Sequence, residues 1–180
     1  MKEISLHILD IVQNSIHAGS SSIEINIRES KIDDCLSFVV SDNGSGMDKT
    51  EIEKILDPFY TSKNKKTGMG IPLLKQHAEM AGGKIEISSE KGQGTTILAL
   101  FEYNNIDRQP LGDIKSTITG LIRTNPEIDF IFTLQIENNR FELDTQEIKK
   151  VLEGIKINTP EVIRFLDNKI DEFQNKNRIE

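Results

Sequence analysis

Three groups of residues in this chain have types and spacings that could do chemistry. The first is Ser41-Asp42-Asn43-Gly44-Ser45-Gly46-Met47, which follows the apolar run Leu36-Ser37-Phe38-Val39-Val40. That run reads as a buried strand. A strand ending on a carboxylate and two glycines sets an acceptor beside bare backbone, where a flat ligand could lie. Asp42 has no obvious donor in its local sequence. Buried acceptors need partners, and an exocyclic amine such as that of adenine would supply one. The same seven residues also suit a plain tight turn. The second group is His7, Asp10, Asn14 and His17, which share one stripe at helical spacing. Short Asp and Asn side chains are poor choices for a solvent face. An Asn with an Asp one turn before it can present oxygens to Mg²⁺ or to its waters. The third is Gly68-Met69-Gly70, just after the basic stretch Lys63-Asn64-Lys65-Lys66. A Gly-x-Gly at a helix start exposes free amides and the positive end of the dipole, an anion site.

The elements that must position these groups can be read in chain order. Residues 2–18 form a helical pattern with Ile4, Ile8, Ile11, Val12 and Ser15 on its core face and Gly19 as its stop. Residues 20–29 alternate as a half-buried strand, with Ile23, Ile25 and Ile27 on one side. A turn at 31–34 makes this strand and the one entering Asp42 an antiparallel hairpin. Asp48 and Glu51 have capping-box spacing for a short helix to Leu56, and Pro58 ends it. A helix over 69–81 buries Ile71, Leu74, Ala78 and Ala81, and His77 reads as a surface residue on it. Strands follow at 84–89 and 95–101, joined at Gly92-Gln93-Gly94. The order predicts an α/β (α+β) sandwich, a mixed sheet covered on one face by helices. Residues 104–110 read as a linker between a 1–103 domain and a small α+β unit over 111–180. That unit has a helix from Leu111, two strands around the turn 137–140, a helix capped by Asp144 with Glu147, and a last helix from Thr159-Pro160. No residue set in it suggests chemistry; it could bind a partner, support a homodimer, or cap the first domain.

Bulk properties exclude several classes. The chain has 180 residues and a net charge of −7, with both signs spread along it. That argues against a nucleic-acid partner or an anionic membrane surface. The single cysteine, Cys35, excludes an internal disulfide, and no Cys/His pattern suggests a metal cluster. No apolar run is long enough to span a bilayer. With no signal peptide visible, the expected location is the cytoplasm.

In this order and spacing the motifs resemble the ATP-binding superfamily of gyrase-type ATPases, Hsp-type chaperones, histidine kinases and mismatch-repair ATPases. The resemblance covers roughly residues 3–101. Asp10-Ile-Val-Gln-Asn14 is similar to the N box, Asp42-Asn-Gly-Ser-Gly46 to the first glycine box and Asp57-Pro-Phe-Tyr-Thr-Ser-Lys63 to the F box. Thr67-Gly-Met-Gly70 and Gly92-Gln-Gly94-Thr95-Thr96 are similar to the later glycine boxes. The resemblance implies the Bergerat-type fold, with ATP and Mg²⁺ as cofactors. It implies nucleotide contacts at Asn14, His17, Asp42, Gly44, Gly46, Met47, Thr61, Ser62, Gly68, Met69, Gly70, Ile71 and Thr95. Asn14 would hold Mg²⁺ and His17 would contact a phosphate. Asp42 would accept from the adenine amine, Gly46 would allow close approach, and Thr95 would support that end through water. Residues 61–70 would form the lid, with Lys63 a charge on the terminal phosphate.

The later half looks most like histidine kinases, with a short lid, then Gly-Met-Gly-Ile-Pro-Leu-Leu-Lys and Ala-Gly-Gly-Lys-Ile. Two departures matter. Asp10 stands where the ATPase branches usually carry a Glu base, so fast hydrolysis is not expected. The chain also begins about a dozen residues before Asn14, short of a dimerising phospho-acceptor domain. The resemblance therefore implies a stand-alone kinase-like protein that passes the γ-phosphoryl to a His or Ser on an unidentified partner in bacterial signalling. The alternatives are an ATP-gated interaction module and a slow ATPase.

Overall fold

Alternating apolar residues in the strands and 3.6-residue periodicity in the helices produce a single layered arrangement in the computed structural model, which describes residues 2–57 and 70–178. Its elements are α1 (Ile4–His17), β1 (Ser22–Ser30), β2 (Cys35–Asp42), α2 (Lys49–Leu56), α3 (Gly70–Met80) and β3 (Lys84–Glu90). They continue with β4 (Gly94–Glu102), α4 (Ile114–Thr124), β5 (Asp129–Ile136), β6 (Asn139–Asp144), α5 (Thr145–Val151) and α6 (Pro160–Lys176). The six strands form one sheet in the order β3-β4-β2-β1-β5-β6. Every neighbouring pair is antiparallel except β1 and β5, which are parallel. A parallel pair needs a crossover, and the connection leading into β5 contains α4.

Register decides what the helix-covered face carries. One transverse row runs Ser89, Thr95, Asp42, Ile23, Phe130, each the cross-strand partner of the next. Its first three members are polar and its last two apolar. The rows on one side of it are almost wholly apolar: Ile87, Ile97, Val40, Ile25 and Phe132, then Ile85, Ala99, Phe38, Ile27 and Leu134. Ile4, Ile8, Ile11 and Val12 of α1 and Leu74 and Ala78 of α3 are buried in the same core. The polar residues at the end of the face thus form an edge to a continuous apolar layer.

The expected elements are present with small shifts in their ends. Asp48 and Glu51 make the reciprocal capping box of α2. Asp144 caps α5 by accepting from the Gln146 and Glu147 amides, while the Glu147 carboxylate takes the Lys150 ammonium at 2.6 Å. Pro160 opens α6 in the first turn. The expectation for His77 is corrected. It is half-buried and sits 3.0 Å from a ring nitrogen of His7, itself buried on α1.

Residues 104–110 contain no helix or strand, yet sheet and core continue across them. Strand β5 occupies the β1 edge over Ser22–Glu29. The first amides of α1, on Ile4 and Ser5, donate to the Pro110 and Leu111 carbonyls at 3.0 and 2.8 Å. Those amides have no partner inside the helix, so the segment after β4 caps the helix that opens the chain. The proposed division at 104–110 is open to a direct test. A chain ending at residue 103 exposes the β1 edge and uncaps α1. It is expected to lose the cooperative urea transition seen for the full chain by circular dichroism.

The buried His7 predicts a pH dependence. Burial, with the neighbouring His77 adding to it, lowers its pKa from 6.5 to about 4. The folded state favours the neutral ring, so this contribution to stability is complete above pH 6.5 and is lost as the pH falls toward 4. The loss proceeds at up to about 1.4 kcal/mol per pH unit. Urea midpoints measured across this range are expected to fall more steeply for the natural chain than for His7→Asn.

Candidate functional site

A cavity of about 550 Å³ opens where α1, α2 and the first turn of α3 meet the polar ends of β2 and β4. Helix α1 contributes Asn14, Ser15 and His17, and the turn after β2 contributes Gly46 and Met47. Gly70 and Ile71 come from α3, and Thr95 and Ile97 from β4. Asp42 lies on its floor as the last residue of β2.

Asp42 continues the buried face of its strand after Leu36, Phe38 and Val40, so its carboxylate is directed at the underside of α1. The expectation that it lacks a donor is corrected. Ser15 Oγ donates to Oδ2 at 2.6 Å, Ser20 Oγ to Oδ1 at 3.2 Å and the Gly44 amide to Oδ1 at 2.8 Å. An ionised carboxylate offers about four acceptor directions. Three are filled from within the protein, which leaves one for a ligand donor in the cavity.

The turn after Asp42 is held from three sides. Asn43 Oδ1 accepts from the Ser21 and Ser22 amides at 2.9 and 3.0 Å. The Ser45 amide donates to the Ala18 carbonyl at 3.0 Å, and the Gly92 amide donates to the Ser45 carbonyl at 2.8 Å. The Met47 amide donates to Ser89 Oγ at 2.8 Å. Ser89 Oγ also bonds Thr95 Oγ1 at 2.8 Å and donates to the Gly94 carbonyl at 2.9 Å. These bonds fix the backbone before any ligand arrives.

Two glycines are required by the packing of the backbone itself. Gly46 has φ +63°, and a Cβ there would overlap the Glu90 carbonyl. Gly94 has φ +99°, and a Cβ there would overlap the Asp42 carbonyl. Both serve the close approach of one backbone to another. Gly44 is buried behind Asp42, against Ser20 and Ala18, and does not line the cavity.

Asp10 is placed differently from Asn14. Its carboxylate lies against the backbone of Gly70, where a Cβ would overlap Oδ2. Burial raises its pKa. It is not among the residues lining the cavity, although Asn14, one turn later, is. At α2, Lys91 bonds Asp48 at 2.9 Å and approaches the cavity residue Glu51 at 3.5 Å. Hydrogen bonds from Thr50, Lys91 and the Glu51 amide hold the Asp48 carboxyl well below the usual carboxylate range.

Of the residues singled out in the sequence, the cavity brings together Asn14, His17, Asp42, Gly46, Met47, Gly70, Ile71 and Thr95. Thr61, Ser62, Lys63, Gly68 and Met69 lie outside the described residues. Ser15 and Ser20 were missed as partners of Asp42. A hydroxyl on the otherwise apolar face of α1 was the available signal, and it was read as core. Glu51, Lys54 and Ile55 of α2 were also missed; nothing in their local pattern points to a ligand.

Comparison with known proteins identifies the chain's relatives. Residues 2–105 match the family described as histidine kinase-, DNA gyrase B-, and HSP90-like ATPase. Sensor histidine kinase ZraS of Escherichia coli (strain K12) is 27% identical over 105 residues, 58% of this chain and 23% of that protein. A probable C4-dicarboxylate sensor kinase of Bacillus subtilis (strain 168) is 31% identical over 96 residues, 53% of this chain and 18% of that protein. The chain thus spans about a fifth of the length of these relatives. Among solved structures, the N-terminal domain of a DNA repair protein superposes with a TM-score of 0.60 at 19% identity. It covers 80% of this chain and 53% of the other, so the likeness in fold runs past the family match.

The role of Ser15 can be measured directly. Ser15→Ala removes the 2.6 Å donor to a partly buried carboxylate. It is expected to destabilise the chain by about 1–3 kcal/mol, read as a lower urea midpoint with an unchanged slope.

Proposed function

The chain belongs to the histidine kinase-, DNA gyrase B-, and HSP90-like ATPase family, and from that membership we propose that it binds ATP with Mg²⁺ in the cavity between α1 and α3. The observation that carries the reading is Asp42, with three acceptor directions filled by protein donors and one left at the cavity. An adenine amine suits the remaining direction, and the cross-strand neighbour Thr95 stands beside it. The cavity volume falls in the range of small-molecule sites.

The donor set suits a metal that arrives with the nucleotide. Among the described residues no group of three or more His, Cys, Asp or Glu side chains could hold a metal ion. Asn14 offers one side-chain oxygen at the cavity wall. Mg²⁺ commonly takes one or two protein oxygens together with phosphates and waters, and it would neutralise charge on the phosphates. Asn14 would hold it, and His17 would stand near the same phosphates.

We further propose that the bound ATP serves phosphoryl transfer. The bond from the γ-phosphorus to the bridging oxygen would break, ADP would leave, and a His nitrogen or Ser oxygen of a partner protein would take the phosphoryl group and give up its proton to solvent. Two observations favour transfer over hydrolysis. The relatives reported above are sensor kinases. Asp10 stands against Gly70 instead of lining the cavity where a base would need to reach a water. A second reading, a nucleotide-gated interaction module, draws on the capping of α1 by Pro110 and Leu111. It would link the nucleotide helix to the later part of the chain without transfer.

Asp42→Asn exchanges a charged acceptor for a mixed donor and acceptor. It is expected to weaken ATP affinity about 10- to 100-fold, and Asn14→Ala is expected to remove its Mg²⁺ dependence. Both are read by titration calorimetry with a non-hydrolysable ATP analogue. Incubation with γ-labelled ATP and partner extracts is expected to place label on another protein. Absence of ATP binding would overturn the reading. Binding that alters partner affinity without labelling would select the gated module.

A further inference from the structure

His7 is 1% exposed and lies where three pieces of the chain meet. Its Nε2 is 3.0 Å from Nδ1 of His77 on α3 and 3.1 Å from Oε1 of Gln109, in the segment after β4. The two imidazoles meet edge to face, with ring centroids 5.2 Å apart and planes at 73°. The other nitrogen of His7, Nδ1, is buried with no hydrogen-bond partner. A hydrogen there would be a buried donor without an acceptor, a costly arrangement. The neutral ring therefore carries its hydrogen on Nε2. That single hydrogen faces two acceptors, so His77 presents a bare Nδ1 and holds its own hydrogen on Nε2.

The two acceptors belong to different parts of the molecule. His77 is two turns along α3, whose first turn (Gly70, Ile71 and Pro72) lines the cavity. Gln109 immediately precedes Pro110 and Leu111, whose carbonyls cap α1. When the hydrogen is given wholly to His77, α3 is fastened to α1 and His7 no longer holds Gln109. When it is given wholly to Gln109, the His7–His77 bond between α1 and α3 is lost. This is a discrete two-position element of the kind that can carry coupling between sites.

We propose that His7 is a positioning residue for the cavity: its Nε2 hydrogen, shared between His77 and Gln109, couples the segment after β4 to helix α3 and thereby tunes nucleotide affinity. The proposal rests on the nucleotide reading given above. It makes the chain beyond residue 105 a control on the site without contact with the ligand, and it gives a partner bound there a route to the cavity wall.

The test uses the full chain with Gln109→Met, His77→Phe and the double variant. Each keeps side-chain bulk and removes one acceptor. Affinity for AMP-PNP with Mg²⁺ is measured by titration calorimetry, and urea midpoints are measured in parallel. Each single variant is expected to change affinity about 3- to 10-fold, the scale of one hydrogen bond. The double variant is expected to move no further than the larger single one, because both changes act through one hydrogen. Variants that lower the urea midpoint but leave affinity unchanged, or whose effects multiply, would overturn the proposal. If the natural chain binds no AMP-PNP, the nucleotide reading fails on its own. The coupling is then judged by the ¹⁵N resonance of His77 Nδ1, which must move in Gln109→Met. An unmoved resonance overturns it.

Discussion

The carboxylate of Asp42, gripped by Ser15, Ser20 and the Gly44 amide, is the contact on which the rest of the site depends. It joins the last residue of an inner strand to the helix across it and to the turn that follows. A carboxylate in that position is expensive to keep without partners. Three donors offset the cost and at the same time limit what else the group can accept. Ser15 lies on the buried face of α1 and Asn14 on its exposed one, and both line the cavity.

The row Ser89, Thr95, Asp42, Ile23, Phe130 explains why the cavity is at this end of the sheet. Polar side chains follow one another across three strands, then the row turns apolar where β5 joins β1. Side chains alternate faces with a period of two. A shift of one residue in either hairpin would turn the polar group to the far face and bury it nowhere useful. Gly46 and Gly94 guard that register, since each lets a backbone approach that a Cβ would block.

Strands β5 and β6 change how the later part of the chain is understood. A parallel partner for β1 and two carbonyl caps for α1 tie it to the elements that carry Asn14 and Asp42. Phe130, Phe132 and Leu134 lie in the same apolar layer as Ile23, Ile25 and Ile27. Whatever acts on residues after 105 therefore acts on a shared sheet. No helix among the described residues is long and apolar enough to cross a membrane.

Much of this was legible in the residues themselves. The alternation of Ile23, Ile25 and Ile27, the Asp48–Glu51 spacing and the proline opening α6 are local signals, and local backbone preference decides them. Asp42, Asn14 and Thr95 stood out by residue type and order, and the cavity gathers them. Contacts between distant segments were not legible. The joining of β5 to β1, the donors Ser15 and Ser20 on Asp42, the seat of Asp10 on Gly70 and the pairing of His7 with His77 each bring together residues far apart in the chain. Periodicity tells which face of an element is buried but not what lies opposite it. The elements and the chemical types at the site follow from local residue choice. Only the packed structure decided which carboxylate reaches the cavity and which histidine is sealed from water, because burial and hydrogen-bond partners are properties of the whole fold.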